Sequence, residues 1–295
     1  MNISTSLNVF AIPTEQAIGL CKEAGFDRLD YNYTDFQADM FRMSWNEEER
    51  MAHAIREAAE EAGSRFVQMH GPVHGPNFSE LWHGMDPDSF LALARRSIRT
   101  AAIIGAPWVV FHPGNRTGGH EPPEANLEFN RRLFQKLIPD LEKTGVGIAL
   151  ENMYDRRHPR TGAVVRHFAA VPEALCELAD RIDHPLVGIC WDTGHGHLQG
   201  LSQGTSLRMI GKRLKATHIQ DNDGVTDQHL FPYHGTVDWT EVMSALREIG
   251  YEGDFTYETH NAVRPLPLAV GKAALRFGKI VAEHVTAGVE SGAAP

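Results

Sequence analysis

Cysteine is scarce in this sequence, and its few thiols form no recognisable pattern. The 295 residues include three cysteines, Cys21, Cys176 and Cys190, with no CxxC spacing among them. A disulfide framework needs paired cysteines, and a thiolate zinc site needs closely spaced ones. Neither kind of site fits this chain, and Cys190, which lies inside an apolar run, is expected to act as a small buried hydrophobe.

Long apolar segments are also lacking. No uncharged apolar run approaches the roughly 18 residues that a membrane-spanning helix needs. The N-terminal segment has no basic stretch ahead of its apolar residues, as a secretory signal peptide would have. We therefore expect a soluble, cytoplasmic protein with no membrane partner.

Positive charge is in deficit. The chain carries 28 Lys and Arg against 38 Asp and Glu, which gives a net charge of −10 at pH 7. This charge repels nucleic-acid backbones at long range, although a local basic patch or a bound metal can reverse the field at one site. We expect no nucleic-acid partner. Histidine, by contrast, is abundant, with 16 residues whose placement decides whether they matter.

Short β-rich segments alternate with longer segments of helical periodicity along the whole chain. The predicted strands are Ile3–Val9, Phe26–Tyr31, Arg65–His70, Trp108–His112, Val146–Glu151, Val187–Asp192, Leu214–Ile219 and Phe255–Glu258. The predicted helices are Asn46–Ala62, Asp88–Ile104, Glu124–Thr144, Pro172–Arg181, Thr240–Ile249 and about Pro267–His284. Asn46 is a candidate N-cap, and Gly63 stands where that helix should end.

Eight strands joined by helices predict parallel pairing, and a closed barrel accommodates that number most naturally. A doubly wound open sheet is the alternative. It predicts a glycine-rich phosphate loop after the first strand, where this chain has Phe10-Ala11-Ile12-Pro13. The sequence therefore predicts a single-domain α/β protein, a (β/α)8 TIM barrel over residues 1–286, followed by a flexible C-terminal tail over residues 287–295.

Possible metal ligands stand at the ends of six of the eight predicted strands. In a barrel the carboxyl ends of the strands converge on one face, so these residues become neighbours. Glu151, Asp192, His218 and Glu258 supply three carboxylates and one imidazole, a donor set that suits one Mn²⁺, Mg²⁺, Co²⁺ or Zn²⁺. The surrounding candidates for further metal ligands or substrate contacts are His70, His112, His195, Asp227 and His229.

Each candidate taken alone also has an ordinary structural interpretation. Glu151 could cap a following helix, and Asp192-Thr193 resembles a local side-chain turn. Asp227-Gln228-His229 could be a solvated loop, and a single histidine at a strand end is more often structural than a ligand. Six strand ends with a possible ligand are unlikely to arise by chance. We therefore predict a metal site.

These motifs resemble those of the xylose-isomerase-like TIM barrels, a superfamily of sugar isomerases and epimerases, inosose dehydratases and endonuclease-IV-type apurinic endonucleases. The resemblance covers essentially the whole chain. The segments that carry it are Leu150-Glu151-Asn152, Trp191-Asp192-Thr193-Gly194-His195, His218–Asp223, Asp227–Pro232 and Gly235–Trp239. They are specific for the superfamily and do not select one member.

The resemblance to the ketose epimerases implies roles for individual residues. There, the matches to Glu151, Asp192, His218 and Glu258 hold one divalent metal, and the two glutamates exchange a proton with the substrate carbon. The match to His195 contacts the substrate. The function implied is a metal-dependent sugar isomerase or epimerase that acts on a keto-sugar or polyol-derived substrate, with Glu151 and Glu258 catalytic and a homo-oligomer possible.

This chain departs from the ketose epimerases after the histidine of the seventh strand. Those enzymes commonly carry an arginine there, whereas this chain has Asp221, Asn222, Asp223 and Gly224. A phosphorylated sugar would meet acidic groups on that side. We therefore expect a neutral substrate.

Two other functions remain open. A dehydratase or lyase acting on a keto-sugar or inosose would begin with the same proton abstraction. An apurinic endonuclease would bind up to three Zn²⁺ through nine ligands, and every ligand type has a match among the nine candidate residues. One basic segment stands out in this acidic chain and could bind an anion or a DNA backbone. It is the loop Arg156-Arg157-His158-Pro159-Arg160, together with Arg166.

Overall fold

The computed structural model describes residues 1–73, 86–116, 122–157 and 160–287. Its strands are β1 (Asn2–Ser6), β2 (Arg28–Asn32), β3 (Arg65–His70), β4 (Trp108–Phe111), β5 (Gly147–Glu151), β6 (Arg156–Arg157), β7 (Val164–Val165), β8 (Val187–Asp192), β9 (Leu214–His218) and β10 (Asp254–Tyr257). Its helices are α1 (Thr14–Glu23), α2 (Gln37–Met40), α3 (Trp45–Glu61), α4 (Pro87–Ile104), α5 (Pro123–Gln135), α6 (Ile138–Thr144), α7 (Pro172–Ile182), α8 (Thr193–Leu198), α9 (Gln203–Ile210), α10 (Trp239–Glu248), α11 (His260–Val263) and α12 (Leu268–Ala287).

Eight of these strands form one parallel sheet in the order β10-β1-β2-β3-β4-β5-β8-β9. The two ends of the sheet meet at Ile219, whose N–H donates to the carbonyl of Thr256 at 2.8 Å and whose carbonyl accepts from Glu258 N–H at 3.0 Å. The sheet is thereby a nearly closed barrel with helices between the strands. The predicted (β/α)8 TIM barrel is confirmed.

Side chains of successive strands line the barrel interior in layers, because alternate residues of a strand point to the same face. The upper layer contains the predicted site residues. Two residues earlier on their strands, Val110, Ala149, Cys190 and Ala216 form a small buried apolar cluster, which confirms Cys190 as a buried hydrophobe. On the other side of the barrel the corresponding residues are polar and buried: Ser4, Asp30, Gln68 and Thr256.

Some predicted boundaries are wrong. The first strand ends at Ser6 and continues as a 3₁₀ turn over Leu7–Val9. The predicted helix Glu124–Thr144 is two helices, and Pro139 lies in the first turn of the second. A proline inside a continuous helix would remove a hydrogen bond and clash with the preceding turn, whereas the first turn tolerates it.

The predicted cap of the α3 helix is also wrong. Ser44, not Asn46, is the N-cap, and its side chain accepts from Glu47 N–H while the Glu47 carboxylate accepts from Ser44 N–H at 2.8 Å. This capping box satisfies two backbone donors, and Asn46 lies within the first helical turn.

The predicted tail lies almost entirely outside the described residues, and Ala287 belongs to α12. The predicted boundary between the barrel and the tail therefore stays a prediction. The oligomeric state also stays a prediction. Among the helices that the structure describes, none has the length and apolar composition to cross a bilayer.

Candidate metal centre

The carboxyl ends of the barrel strands bring the four predicted metal ligands together. Glu151 ends β5, Asp192 ends β8, His218 ends β9 and Glu258 follows β10. Each offers one ligand atom, and these atoms all lie within 4.8 Å of one another. His218 Nδ1 lies 3.0 Å from Glu151 Oε1 and 3.7 Å from Glu258 Oε2. All four side chains are buried.

The two carboxylate oxygens of Asp192 have different surroundings. Its Oδ1 accepts from His195 N–H at 2.7 Å and caps α8, so the side-chain turn considered from the sequence is real. Its Oδ2 is buried and has no hydrogen-bond partner among the described residues. An unpaired buried carboxylate oxygen is costly, and a cation at this place would remove that cost.

Glu151 connects the four-residue cluster to two further predicted residues. Its Oε2 lies 3.1 Å from His112 Nε2 and 3.8 Å from His70 Nε2. His70, His112 and Glu151 thus form a second group of atoms that could hold a metal ion. The alternative in which Glu151 caps a helix does not apply, because the next residues up to the β6 strand are not helical.

The other three predicted residues lie on the opposite side of the cluster. Asp227 Oδ1 is 3.3 Å from His229 Nε2, and Asp227 Oδ2 is 3.6 Å from His195 Nε2. His229 Nδ1 is 3.6 Å from Glu258 Oε2. All nine residues predicted from the sequence therefore belong to one connected group of side chains.

Three of the histidines are oriented in the same way. The Nδ1–H groups of His70, His195 and His229 each donate to a backbone carbonyl, those of Gly71 at 2.9 Å, Asn152 at 2.8 Å and Glu258 at 2.9 Å. A hydrogen bond to one ring nitrogen fixes the ring and leaves the other nitrogen for a ligand. The Nε2 atoms of all three face carboxylates of the site.

Several residues that the sequence did not single out as site residues hold this arrangement. Asn152 accepts from Asp192 N–H at 2.6 Å and donates to the Asp192 carbonyl at 2.9 Å. Gln220 donates to Asp227 Oδ1 at 2.8 Å. His260 lies beside His229, with ring centroids 4.1 Å apart. For Asn152, its position directly after Glu151 in the sequence is the feature that could have indicated a role in the site.

The acidic segment after β9 builds the loop that carries Asp227 and His229. Asp221 is fully buried, and its carboxylate accepts from Val237 N–H and from Trp239 Nε1–H, each at 3.0 Å. Asp223 caps a turn by accepting from Val225 N–H at 2.8 Å. Both carboxylates therefore hold the loop together, and Asp223 stays exposed at its surface. The neutral substrate expected from the sequence stays a prediction.

Burial and mutual charge shift the ionisation of the cluster. Burial raises the pKa of Glu258 to about 7, against the opposing effect of His218 and His229. Burial also disfavours ionised Glu151, but His218 and His112 outweigh it and hold the pKa of Glu151 well below its usual range. Burial lowers the pKa of His195, yet Asp192 and Asp227 raise it to about 10. The carboxylates and imidazoles of the cluster thus shift one another's pKa values.

These observations fit a divalent cation. Three carboxylates and one imidazole converge in a buried place, and Oδ2 of Asp192 accepts no hydrogen bond there from the described residues. Such a donor set matches Mn²⁺, Mg²⁺, Co²⁺ or Zn²⁺. A cation would neutralise the excess of carboxylate charge in this group of side chains.

The family of this protein is shown by a match over most of its length. The family model described as xylose isomerase-like TIM barrel matches residues 18–279. The chain belongs to this family.

Two known proteins are similar to the chain over most of its length. The inosose isomerase of Bacillus velezensis is 22% identical over 246 residues, which cover 80% of each protein. An uncharacterised protein of Sinorhizobium fredii is 24% identical and covers 87% of each.

Three solved structures share the fold. A D-tagatose 3-epimerase-like protein superposes with a TM-score of 0.74 at 22% identity, covering 97% of this chain and 99% of the other. A D-psicose 3-epimerase in the presence of D-fructose gives 0.74 at 15% identity, covering 98% and 100%. The IOLI protein with a zinc atom gives 0.73 at 18% identity, covering 97% and 98%.

Proposed function

We propose that this protein is a divalent-metal-dependent isomerase or epimerase of a keto-sugar or polyol-derived substrate. The observation that carries the proposal is the four-residue cluster at the barrel mouth, in which two glutamates face the place where a cation fits. The barrel mouth is also where enzymes of this architecture carry out their chemistry.

The metal would be held by Glu151, Asp192, His218 and Glu258. A divalent cation bound there supplies Lewis-acid polarisation of a substrate carbonyl and acidifies the adjacent C–H bond. The three carboxylates exceed the charge of one such ion, so the glutamates retain basic character toward the substrate.

Proton transfer is assigned to the two glutamates. They reach the centre from different strands, Glu151 from β5 and Glu258 from the end of β10. One would remove the proton from the carbon next to the carbonyl, and the other would return it on the opposite face for epimerisation. In an aldose–ketose isomerisation one glutamate could deliver the proton to the neighbouring carbon.

The histidines around the cluster would orient the substrate. His195 is anchored through Nδ1, and its ring lies 5.2 Å from that of Tyr154. A sugar hydroxyl can pair with the Nε2 of such a fixed ring. His70 and His112 would line the other side. Similar proteins whose names denote sugar epimerases and an inosose isomerase support the proposed activity as a whole.

Turnover of a keto-sugar panel in deuterated water with Mn²⁺ tests the proposal. We expect deuterium on the carbon next to the carbonyl, because an exchangeable carboxylic proton mediates the reaction. Glu258→Gln should abolish incorporation, while Glu252→Gln, which changes an exposed glutamate before the same strand, should leave it unchanged. Isomerised product without label, even after long incubation, would refute the two-glutamate scheme. A label accompanied by loss of water would identify the dehydratase alternative.

A second candidate, an apurinic endonuclease, is favoured by the connection of all nine potential ligands. The basic loop gives it little support, because Arg166 pairs with Asp155 at 2.7 Å and Arg156 stacks on Tyr154; residues 158 and 159 lie outside the described part. Three zinc ions per chain and efficient nicking of an abasic-site duplex at physiological salt would establish the nuclease. One metal and weak duplex binding would support the isomerase.

A further inference from the structure

We propose that Asp30 is a positioning residue that accepts a hydrogen bond from His218 Nε2 and thereby holds the imidazole in the orientation that metal binding requires. The inference rests on the metal site of the proposed function. It adds a residue that lies outside the ligand set and one layer below it in the barrel.

Asp30 is a carboxylate in the barrel interior. It lies on β2 and is 0% exposed. Neither of its carboxylate oxygens accepts a hydrogen bond from the described residues. A carboxyl group in such a place is costly unless it is paired. No residue of the proposed catalytic scheme explains why an acid stands there.

The ring nitrogen that faces Asp30 belongs to His218. His218 Nε2 lies 3.7 Å from Asp30 Oδ2 and makes no hydrogen bond to the described residues. Among those residues, His218 supplies the one histidine, lysine or arginine nitrogen within 4.0 Å of Asp30. A donor and an acceptor thus face each other, and less than about 1 Å of movement would bring them to hydrogen-bond distance.

The two nitrogens of His218 have different surroundings. Nδ1 faces the carboxylates of Glu151 and Glu258, so it is the atom available to a metal. A neutral imidazole that gives Nδ1 to a metal carries its proton on Nε2 and must donate it. Cys190 is also close to His218, but a thiol is a weak acceptor. Asp30 is therefore the appropriate recipient.

The other site histidines show the same principle with a different acceptor. The rings of His70, His195 and His229 are each anchored by a backbone carbonyl. Metal-binding histidines commonly donate the second ring N–H to a carbonyl or a carboxylate. His218 is oriented the other way round, and Asp30 supplies the acceptor that a carbonyl supplies elsewhere.

Two irregularities of the sheet place this pair. The register between β2 and β3 shifts between Leu29 and Asp30, so that Asp30 lies opposite Gln68. The register between β8 and β9 shifts between Ile189 and Cys190, which brings Asp192 opposite His218. Register irregularities of this kind re-aim side chains near active sites.

Metal affinity of the full-length protein tests the proposal. Asp30→Asn keeps the side-chain volume and removes the charge, and we expect its Kd for Mn²⁺, measured from free Mn²⁺ by electron paramagnetic resonance, to rise about 10- to 100-fold. Tyr31→Phe is the matched control, because it removes a buried, unpaired hydroxyl from the adjacent position of the same strand. It should bind Mn²⁺ as the wild type does.

A nitrogen resonance distinguishes positioning from general structural support. In Zn²⁺-loaded protein with ¹⁵N-labelled histidine, we expect a slowly exchanging Nε2–H signal from His218 that is lost or shifted in Asp30→Asn and unchanged in Tyr31→Phe. Equal Kd values and equal Nε2–H signals in Asp30→Asn and wild type would overturn the proposal. A wild-type protein that binds no divalent metal would instead overturn the proposed function.

Discussion

At the scale of residues, the barrel mouth joins side chains whose charges depend on one another. Glu151 contacts imidazoles through both oxygens, His218 on one side and His112 on the other. Asp192 divides its oxygens between a helix cap and the cluster. Removing one member therefore leaves the remaining buried charges without their counterpart, which costs more than the loss of one contact.

His218→Ala is the first residue-scale prediction. The variant should retain less than a tenth of the wild-type metal content and lose more than about 100-fold in kcat, because a direct ligand matters more than the outer partners whose loss costs about 10- to 100-fold. Elemental analysis and turnover measure the two effects. His53→Ala, at an exposed position of α3, is the control and should match wild type. A metal-replete, active His218→Ala protein would contradict the ligand assignment.

At the scale of elements, the last helix packs on the barrel through a position where only a small residue fits. Gly278 of α12 is buried, and a Cβ there would overlap the ring of Phe231. Its carbonyl accepts from Tyr257 Oη at 2.9 Å, which connects α12 to the strand that precedes Glu258. The packing of this helix thus supports one side of the site.

Gly278→Ala is the element-scale prediction. Overpacking costs about 1–3 kcal/mol, which exceeds the gain of about 1 kcal/mol that alanine brings to a helix interior. We expect the free energy of unfolding to fall. Gly19→Ala in α1 is the matched control, because nothing lies within 4 Å of a Cβ there, and it should raise that free energy by up to about 1 kcal/mol. Denaturant titration measures the free energy of unfolding of both variants. An unchanged or higher value for Gly278→Ala would contradict the prediction and show that the Phe231 ring moves to make room for the methyl group.

At the scale of the whole molecule, the site joins distant parts of the chain. Its residues come from strands separated by up to 188 positions in sequence, from His70 to Glu258. A ligand that binds only the folded state stabilises all of these elements at once. Metal binding should therefore be visible as global stability.

The whole-molecule prediction concerns Mn²⁺ and thermal unfolding. At about 100 times its Kd, a ligand stabilises the folded state by about 2.7 kcal/mol, which for a chain of this size raises Tm by several degrees. Differential scanning calorimetry should show the rise, and EDTA should reverse it. Glu258→Ala should fold and show no such shift. A similar Tm increase in this variant would place the stabilising ion elsewhere.

Much of the molecule was predictable because its signals are local. Alternation of β-rich and helical segments predicts the barrel, and Pro172 opens α7 as expected. The helices α1 and α8 escaped prediction because Gly19, Gly194 and Gly196 weaken the helical pattern. In α8, the cap that Asp192 provides and packing inside the barrel mouth outweigh that low propensity.

The convergence of the candidate ligands could be predicted from the sequence alone, because carboxylates and imidazoles at the ends of parallel strands come together on one face of a barrel. Which ring nitrogen of each histidine faces the site follows from the folded structure, since that depends on carbonyls such as those of Gly71 and Asn152. The tertiary structure also decided that Asp30 faces His218. These residues are 188 positions apart, and a shift in strand register, which no local pattern encodes, aims the carboxylate.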